Sequence, residues 1–486
     1  MSTQHLPNII RRVAVIGGGP AGIVVAKELL EAGIEPVVFE QSGGLGGQWN
    51  VHAEHSGVWP GMRANTSGAM TRFSELPAPE SWPLFPRAED VRAHLVSYAQ
   101  HFDVAASVGL GCRVLSVRRD DGGWTVESED VVDGTITVGR YDAVVACSGR
   151  FAAPSMPQEF AGMHTPVRVV HAGAYDGRSS FAGRRGLVVG NSISGLEIAA
   201  DLAVDESITV ISSARRGRWI IPKLERGVPA DQEWFTAFAA LLGRTLAPDE
   251  LAGGLRAALL AAAGDPADVG GLAPDPDLLA TGLSQCQAYL PLVAEGRIDV
   301  RPGIDGVTGD VVRFADGSSC AVDAVILCTG YERSLPYLDA DPADLVLETF
   351  DRRLEGLALM GQYVLHGPYM PVLELQARWI AGVWSGHRDL DDAPAIPALP
   401  FYPHHMLAEA FAAAAGALPD PAAHPQLAEG LTFGPMLPER YRLGDTEIAA
   451  RFAAATAGFR APQDQVQLLA ALTADAAPPA PALSAP

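Results

Sequence analysis

Residues 12–22 read RVAVIGGGPAG, and residues 186–195 read GLVVGNSISG. In the first stretch the apolar run Arg12–Ile16 shows no polar alternation, which predicts a strand covered on both faces. Gly17, Gly19 and Gly22 then fall at the spacing G-x-G-x-x-G, and a helix over Ile23–Ala32 stops at Gly33. Each glycine has a physical task. The first permits the tight turn, the second lets backbone approach a diphosphate, and the third lets helix and strand pack closely, with the helix N-terminus facing the phosphate charge. A second strand, Glu35–Glu40, ends on Glu40, where a carboxylate can accept hydrogen bonds from ribose hydroxyls.

The second stretch repeats the plan: a strand Gly186–Val189, a turn Gly190–Gly195, a helix over Ser194–Ala203 and a strand Ser207–Ser212. Its middle glycine is replaced by Ser192, a small residue whose hydroxyl still suits a phosphate; Asn191 and Ser194 flank it. Where a site for NAD places an acid, this chain has Ser213, Ala214, Arg215 and Arg216. The planar fork of arginine suits a ribose 2′-phosphate, so NADPH is expected rather than NADH.

Between and beyond these units the pattern is of mixed structure. A loop-rich stretch runs from Gly43 to Arg87 and carries Gly46, Gly47, Gln48 and Trp49, where glycines admit a flat ligand and Trp49 can wall it. A helix is expected over Ala88–Phe102, a hairpin from Val114–Val117 and Trp124–Ser128 turning at Asp120–Gly123, and a buried strand over Tyr141–Ala146. Residues 230–290 are rich in Ala and Leu and read as helical. Short strands follow near 298–301, 310–314 and 323–328, then a helix over Pro371–Trp384. The Ala/Pro-rich end from Ala474 is expected to be disordered.

Composition narrows the function. The chain has 486 residues, enough at roughly 150 per domain for two to four. Its 48% apolar and 19% charged content indicates buried cores rather than a disordered tail protein. The net charge of −22 argues against a nucleic-acid partner and against anionic membranes. Lys27 and Lys223 are the only lysines. The cysteines (Cys112, Cys147, Cys286, Cys320 and Cys328) are odd in number, widely spaced and without CxxC, as expected of reduced thiols rather than a disulfide framework or zinc site. Glycines break the apolar run after Arg11 and Arg12, so no signal peptide is expected, and a cytoplasmic location follows. His52…His55 and His404-His405 lack a metal-ligand pattern, and no metal is expected.

Taken in order, Gly17–Gly22, Glu40, Gly46–Trp49, Asn65, Tyr141–Gly149, His171…Tyr175, Gly190–Gly195, Arg215–Pro222 (RRGRWIIP), Cys328–Tyr331 and Glu374–Trp379 resemble the flavin-containing monooxygenases, a class B flavoprotein family. The resemblance implies an α/β fold of two dinucleotide-binding, Rossmann-like domains with the NADPH domain inserted in the FAD domain. The expected boundaries are 1–163 and 331–473 for FAD, 164–330 for NADPH with the helical insertion 230–290, and 474–486 for the tail. It implies FAD and NADPH as cofactors, with Pro20, Ala21, Gln41, Thr66, Tyr175, Thr329, Gly330, Tyr331 and Gln376 joining the residues above as cofactor contacts. The family fingerprint F-x-G-x-x-x-H-x-x-x-Y is half kept: His171 and Tyr175 match, whereas Thr165 and Val167 replace Phe and Gly.

Asn65 is the expected catalytic residue. Related Baeyer–Villiger enzymes carry Asp five residues after the proline of Trp59-Pro60; this chain has the neutral amide of the flavin-containing monooxygenases. The resemblance therefore implies a neutral flavin C4a-hydroperoxide that oxygenates a soft nucleophile, an amine nitrogen or a sulfide. FAD supplies the oxygen chemistry and the protein excludes water. Baeyer–Villiger oxidation, N-hydroxylation in a biosynthetic pathway and a non-catalytic flavin-binding protein are the alternatives. The expected partners are a small-molecule substrate and O₂, with a homodimer as the assembly to test.

Overall fold

The computed structural model describes residues 10–54, 56–120, 122–160 and 167–475. His55, Asp121, Thr165 and most of the tail expected to be disordered lie outside them. Two parallel sheets organise the chain. The first is seven-stranded, in the order Leu345–Val346, Phe350–Asp351, Leu357–Leu359, Ala143–Ala146, Arg12–Ile16, Glu35–Glu40, Val108–Leu110. The last five of these pair in parallel and the first three by antiparallel turns. The second is five-stranded and parallel throughout: Ile298–Arg301, Thr209–Ser213, Arg185–Val189, Ala324–Leu327, Arg168–His171. All strands of the second sheet lie in sequence between Ala146 and Leu345, so the chain leaves the first sheet, builds the second and returns. This is the expected α/β class with two Rossmann-like units.

Burial explains the strands. Ala143–Ala146 and Ala324–Leu327 are buried at every position, as a central parallel strand requires. The expected strand Tyr141–Ala146 is in fact two: Ile136–Tyr141 ends an antiparallel three-stranded sheet, and the chain re-enters the first sheet at Ala143. The backbone amides of Arg11 and Arg12 bond the Asp142 carboxylate between them. The opening helix spans Pro20–Glu31, starting inside the glycine turn because proline at its first positions costs no hydrogen bond.

The 230–290 stretch is helical at Ala237–Thr245 and Pro248–Ala263, but Leu283–Gln285 is a strand paired with Trp219–Ile221. The helix Tyr369–Trp384 and the helix His404–Ala414 cover the first sheet. A buried ionic cluster ties the C-terminal part back to the opening helix. Arg442 pairs with Glu28, with Glu374 at 2.8 Å and with Glu75 at 3.3 Å. The three carboxylates lie close enough to hold a metal, but each is already paired with Lys27 or Arg442. All five cysteines are free. Burial pushes the Cys286 and Cys328 thiols up to about 12, which makes them inert.

Candidate active site

The two glycine turns are the same object built twice. Gly17 N donates to Phe39 O at 2.8 Å, and Gly190 N to Ser213 O at 2.8 Å, so each turn is fastened to the neighbouring strand. Gly17 and Gly190 stand at φ +113° and +111°, where only glycine sits without strain. A Cβ on Gly22 would run into the Gly17 carbonyl oxygen, and one on Gly195 into that of Gly190. Behind each turn passes the chain leaving a central strand. Cys147 N donates to Ile16 O at 2.9 Å, and Cys328 N to Val189 O at 2.8 Å.

Each turn opens a helix whose first amides are uncapped. Neither Pro20–Glu31 nor Ile193–Ala203 has a side-chain cap or an acid in its first turn. Two long helices thus present free N–H groups and the positive end of the macrodipole, a fit to phosphate in both units. At the first turn, Gly46 N donates to Gly18 O at 3.0 Å, and Gly47 lies so close to Gly19 that a Cβ on it would stand 2.8 Å from the Gly19 Cα. The loop of Gln48, which is exposed, and Trp49, half-buried against the first core, is thereby laid beside the turn. Glu40 is buried. Its carboxylate accepts from Gly18 N at 2.7 Å and Ser42 N at 2.8 Å, which leaves lone pairs for ribose hydroxyls. Gln41 follows it, half-buried.

At the second turn Ser192 and Ser194 are exposed, and Asn191 Nδ2 donates to Arg216 O at 2.7 Å, folding the arginine pair against the turn. Arg215 and Arg216 are exposed; Arg216 faces Asp275 at 3.7 Å, while Arg215 has no ion pair among the described residues. Thr329–Tyr331 joins the two units. Thr329 Oγ1 donates to Ser155 O at 2.6 Å, Gly330 O accepts from Ser155 N, and the Tyr331 ring packs edge-on to Phe151 and His171.

Three of the expected contacts have polar groups engaged within the protein. Gln376 is fully buried and spent inside the protein: its oxygen accepts from Gly361 N and Tyr363 Oη, and its nitrogen donates to Thr349 Oγ1 and Leu359 O. It shapes the loop after Leu357–Leu359. Ser213 is buried with its hydroxyl donated to Pro302 O at 2.6 Å. Tyr175 belongs to the core of the second unit, stacked on Phe181 and edge-on to Trp59, with its hydroxyl donated to Asp201 at 2.6 Å. In all three the side chain's polar group already has a partner within the protein.

Asn65 lies where the units meet. Its Oδ1 accepts from Lys223 Nζ at 3.4 Å, and the same ammonium pairs with Glu197 at 3.5 Å on the helix of the second turn. Lys223 is nearly buried and sits 5.5 Å over the Phe85 ring. Beside Asn65, the Thr66 hydroxyl bonds that of Thr71, and Ser67 is gripped from the other unit by Asp231. Lys223 and Asp231 were not among the expected site residues. As one of only two lysines Lys223 carried a signal; Asp231 carried none. A small cavity lies at the second turn by Asn191, Ala214 and Arg218. Another, about 480 Å³, lies by Arg378 and Arg442, away from both turns.

The sequence profile of a family described as flavin-binding monooxygenase-like matches residues 10–396. Flavin-containing monooxygenase 5 of Mus musculus is 30% identical over 404 residues, covering 78% of this chain and 74% of the relative. Flavin-containing monooxygenase 3 of Homo sapiens is 29% identical over 398 residues, covering 77% and 74%. Among solved structures, ε-caprolactone-bound cyclohexanone monooxygenase aligns with a TM-score of 0.59 at 19% identity over 91% of this chain and 98% of that one. S-allyl-L-cysteine S-oxygenase from Allium sativum aligns with a TM-score of 0.55 at 20% identity over 96% and 92%.

Proposed function

Because this chain belongs to the flavin-binding monooxygenase-like family, we propose that it inserts one atom of O₂ into a soft nucleophile, an amine nitrogen or a sulfide sulfur, of a small molecule. It is an FAD-dependent oxidoreductase that draws its electrons from NADPH. Bound FAD supplies the oxygen chemistry, and the chain's own residues bind, orient and shield. In our assignment the first glycine turn, with Glu40 and the Gly47–Trp49 loop, holds FAD. The second turn, with Arg215 and Arg216, holds NADPH. Residues 1–163 and 331–473 then form the FAD domain and 164–330 the NADPH domain.

The observation that carries the substrate class is Asn65 held by Lys223 at the junction of the units. Its amide can donate a hydrogen bond towards the oxygen-transfer site and adds no negative charge there. A carboxylate in its place would lack that donor and add a negative charge. The test is a panel of N,N-dimethylaniline, a primary amine, a thioether and a cyclic ketone, scored for NADPH consumed, product formed and H₂O₂ released. An N-oxide or S-oxide in step with NADPH is expected. A lactone from the ketone would move the enzyme to the Baeyer–Villiger class, a hydroxylamine from a primary amine to the N-hydroxylases. H₂O₂ alone with every compound would leave a flavin-binding protein without oxygenase function.

Among the described residues no helix is long and apolar enough to cross a membrane. Cytoplasmic residence is our finer reading, supported by the five unpaired thiols. A homodimer is the assembly that light scattering would test.

A further inference from the structure

Asp231 is 1% exposed and has no ion pair among the described residues. Three other buried carboxylates are matched by cations: Glu28 and Glu374 by Arg442, Glu439 by Arg72. A buried acid without a cation is costly, so what it touches matters. Its Oδ2 accepts from Ser67 N at 2.5 Å, while its Oδ1 is buried without a partner. The next residue, Gln232, donates its side-chain nitrogen to Ser67 Oγ at 3.3 Å. Burial raises the Asp231 carboxyl to about 6 against the pull of the Ser67 bond.

Ser67 is two residues from Asn65, and the segment from Lys223 to Gln232 reaches both. Lys223 bonds Asn65 at one end, and Asp231 and Gln232 bond Ser67 at the other. The hairpin Leu224–Pro229 between them is short, and Ala230 N closes it on Lys223 O at 2.9 Å. The Ser67 end feeds directly into the turn behind Asn65, because Thr71 Oγ1 donates to Ser67 O at 2.8 Å and Thr71 N to the same oxygen at 2.9 Å.

We propose that Asp231 is a positioning residue for Asn65: by accepting the Ser67 amide from across the domain junction, it fixes the Asn65–Thr71 turn in the orientation that oxygen transfer needs. This rests on the role proposed for Asn65. The requirement is for an oxygen acceptor at a fixed reach, and the carboxylate's charge is incidental. Asp231→Asn keeps that acceptor in place. Asp231→Ala removes it, and Asp231→Glu displaces it by a methylene.

The experiment compares full-length holoenzymes by two readouts: deuterium uptake of peptides spanning residues 63–73, and the share of NADPH electrons released as H₂O₂ with N,N-dimethylaniline present. D231A and D231E are expected to raise uptake of that segment and to raise the H₂O₂ share severalfold, with anaerobic flavin reduction by NADPH changed less than twofold. D231N is expected to match the wild type in both. If D231A does not retain FAD, D231E against D231N decides. Unchanged uptake in D231E, or a D231N as loose as D231E, would overturn the proposal. Loosened uptake with unchanged coupling would overturn it too, since the turn would move without consequence. A wild type that releases only H₂O₂ would instead defeat the proposed function, and the uptake arm would still decide whether Asp231 holds the turn.

Discussion

Asn65 and Asp231 show how single side chains at the domain junction can be read in solution. Asn65→Asp would place a carboxylate beside the Lys223 ammonium, which Glu197 already shares. The carboxylate cannot donate the hydrogen bond that the amide offers, and the H₂O₂ share should rise severalfold in a coupled assay with N,N-dimethylaniline. An unchanged share would remove Asn65 from the mechanism. Asp231 has a second consequence, for stability. Its carboxyl is raised from 3.8 to about 6 by burial, so folding favours the protonated form. The resulting penalty is absent below the unfolded value, grows between about pH 4 and 6 and is complete above, on the order of 3 kcal/mol. Asp231→Asn lacks that penalty. The variant should therefore gain stability relative to the wild type as pH rises from 4 to 7, checked by denaturation midpoints across that range. A pH-independent difference would contradict this.

At the level of elements, the turns were legible because their logic is local. Gly17, Gly22, Gly190 and Gly195 are forced by contacts inside one strand–turn–helix unit, so spacing alone identified them. Glu40 was legible for the same reason, lying at the end of the next strand. The hydrogen bonds of Gln376 and Ser213 were not legible, because a motif position does not say which way polar atoms face; their partners Gly361 and Pro302 come from other loops. Lys223 and Asp231 act across 158 and 164 residues of sequence, which no periodicity reports. The split at Asp142 was hidden because Ile136–Tyr141 and Ala143–Ala146 are adjacent in the chain but belong to different sheets.

The two turns can be tested separately. A methyl at Gly22 or Gly195 meets backbone and forces helix from strand, a distortion typically costing about 1–3 kcal/mol or more. Gly22→Ala should purify with less than half the flavin of the wild type, by absorbance against protein. Gly195→Ala should keep its flavin and raise the KM for NADPH tenfold or more; the reverse pattern would exchange the cofactor assignments. Arg215 and Arg216 leave the strand Thr209–Ser213 exposed beside that second turn. Replacing both by Ala should lower kcat/KM for NADPH by about 100-fold, each lost charge-assisted contact being worth about 1.5 kcal/mol. NADH should be little affected. A preference that survives would place the 2′-phosphate elsewhere.

For the whole molecule, the net charge of −22 poses a problem that the architecture answers locally. Both cofactors are anionic, and the global field repels them. The uncapped ends of Pro20–Glu31 and Ile193–Ala203 and the exposed arginine pair supply positive potential where the phosphates would lie. The chain leaves the first sheet after Ala146 and returns at Leu345, so both turns are carried by one scaffold, whose two units are in contact at Asn65, Lys223 and Ser67. Arg442 then fastens the C-terminal part to the opening helix through Glu28 and Glu374.

Turnover is expected to divide O₂ so that one atom enters the small molecule and the other is reduced to water with the two electrons of NADPH. This is tested most directly by turnover of N,N-dimethylaniline under ¹⁸O₂ with NADPH limiting. One ¹⁸O is expected in the N-oxide for each NADPH oxidised, with little labelled H₂O₂. Unlabelled or absent product alongside one labelled H₂O₂ per NADPH would contradict it.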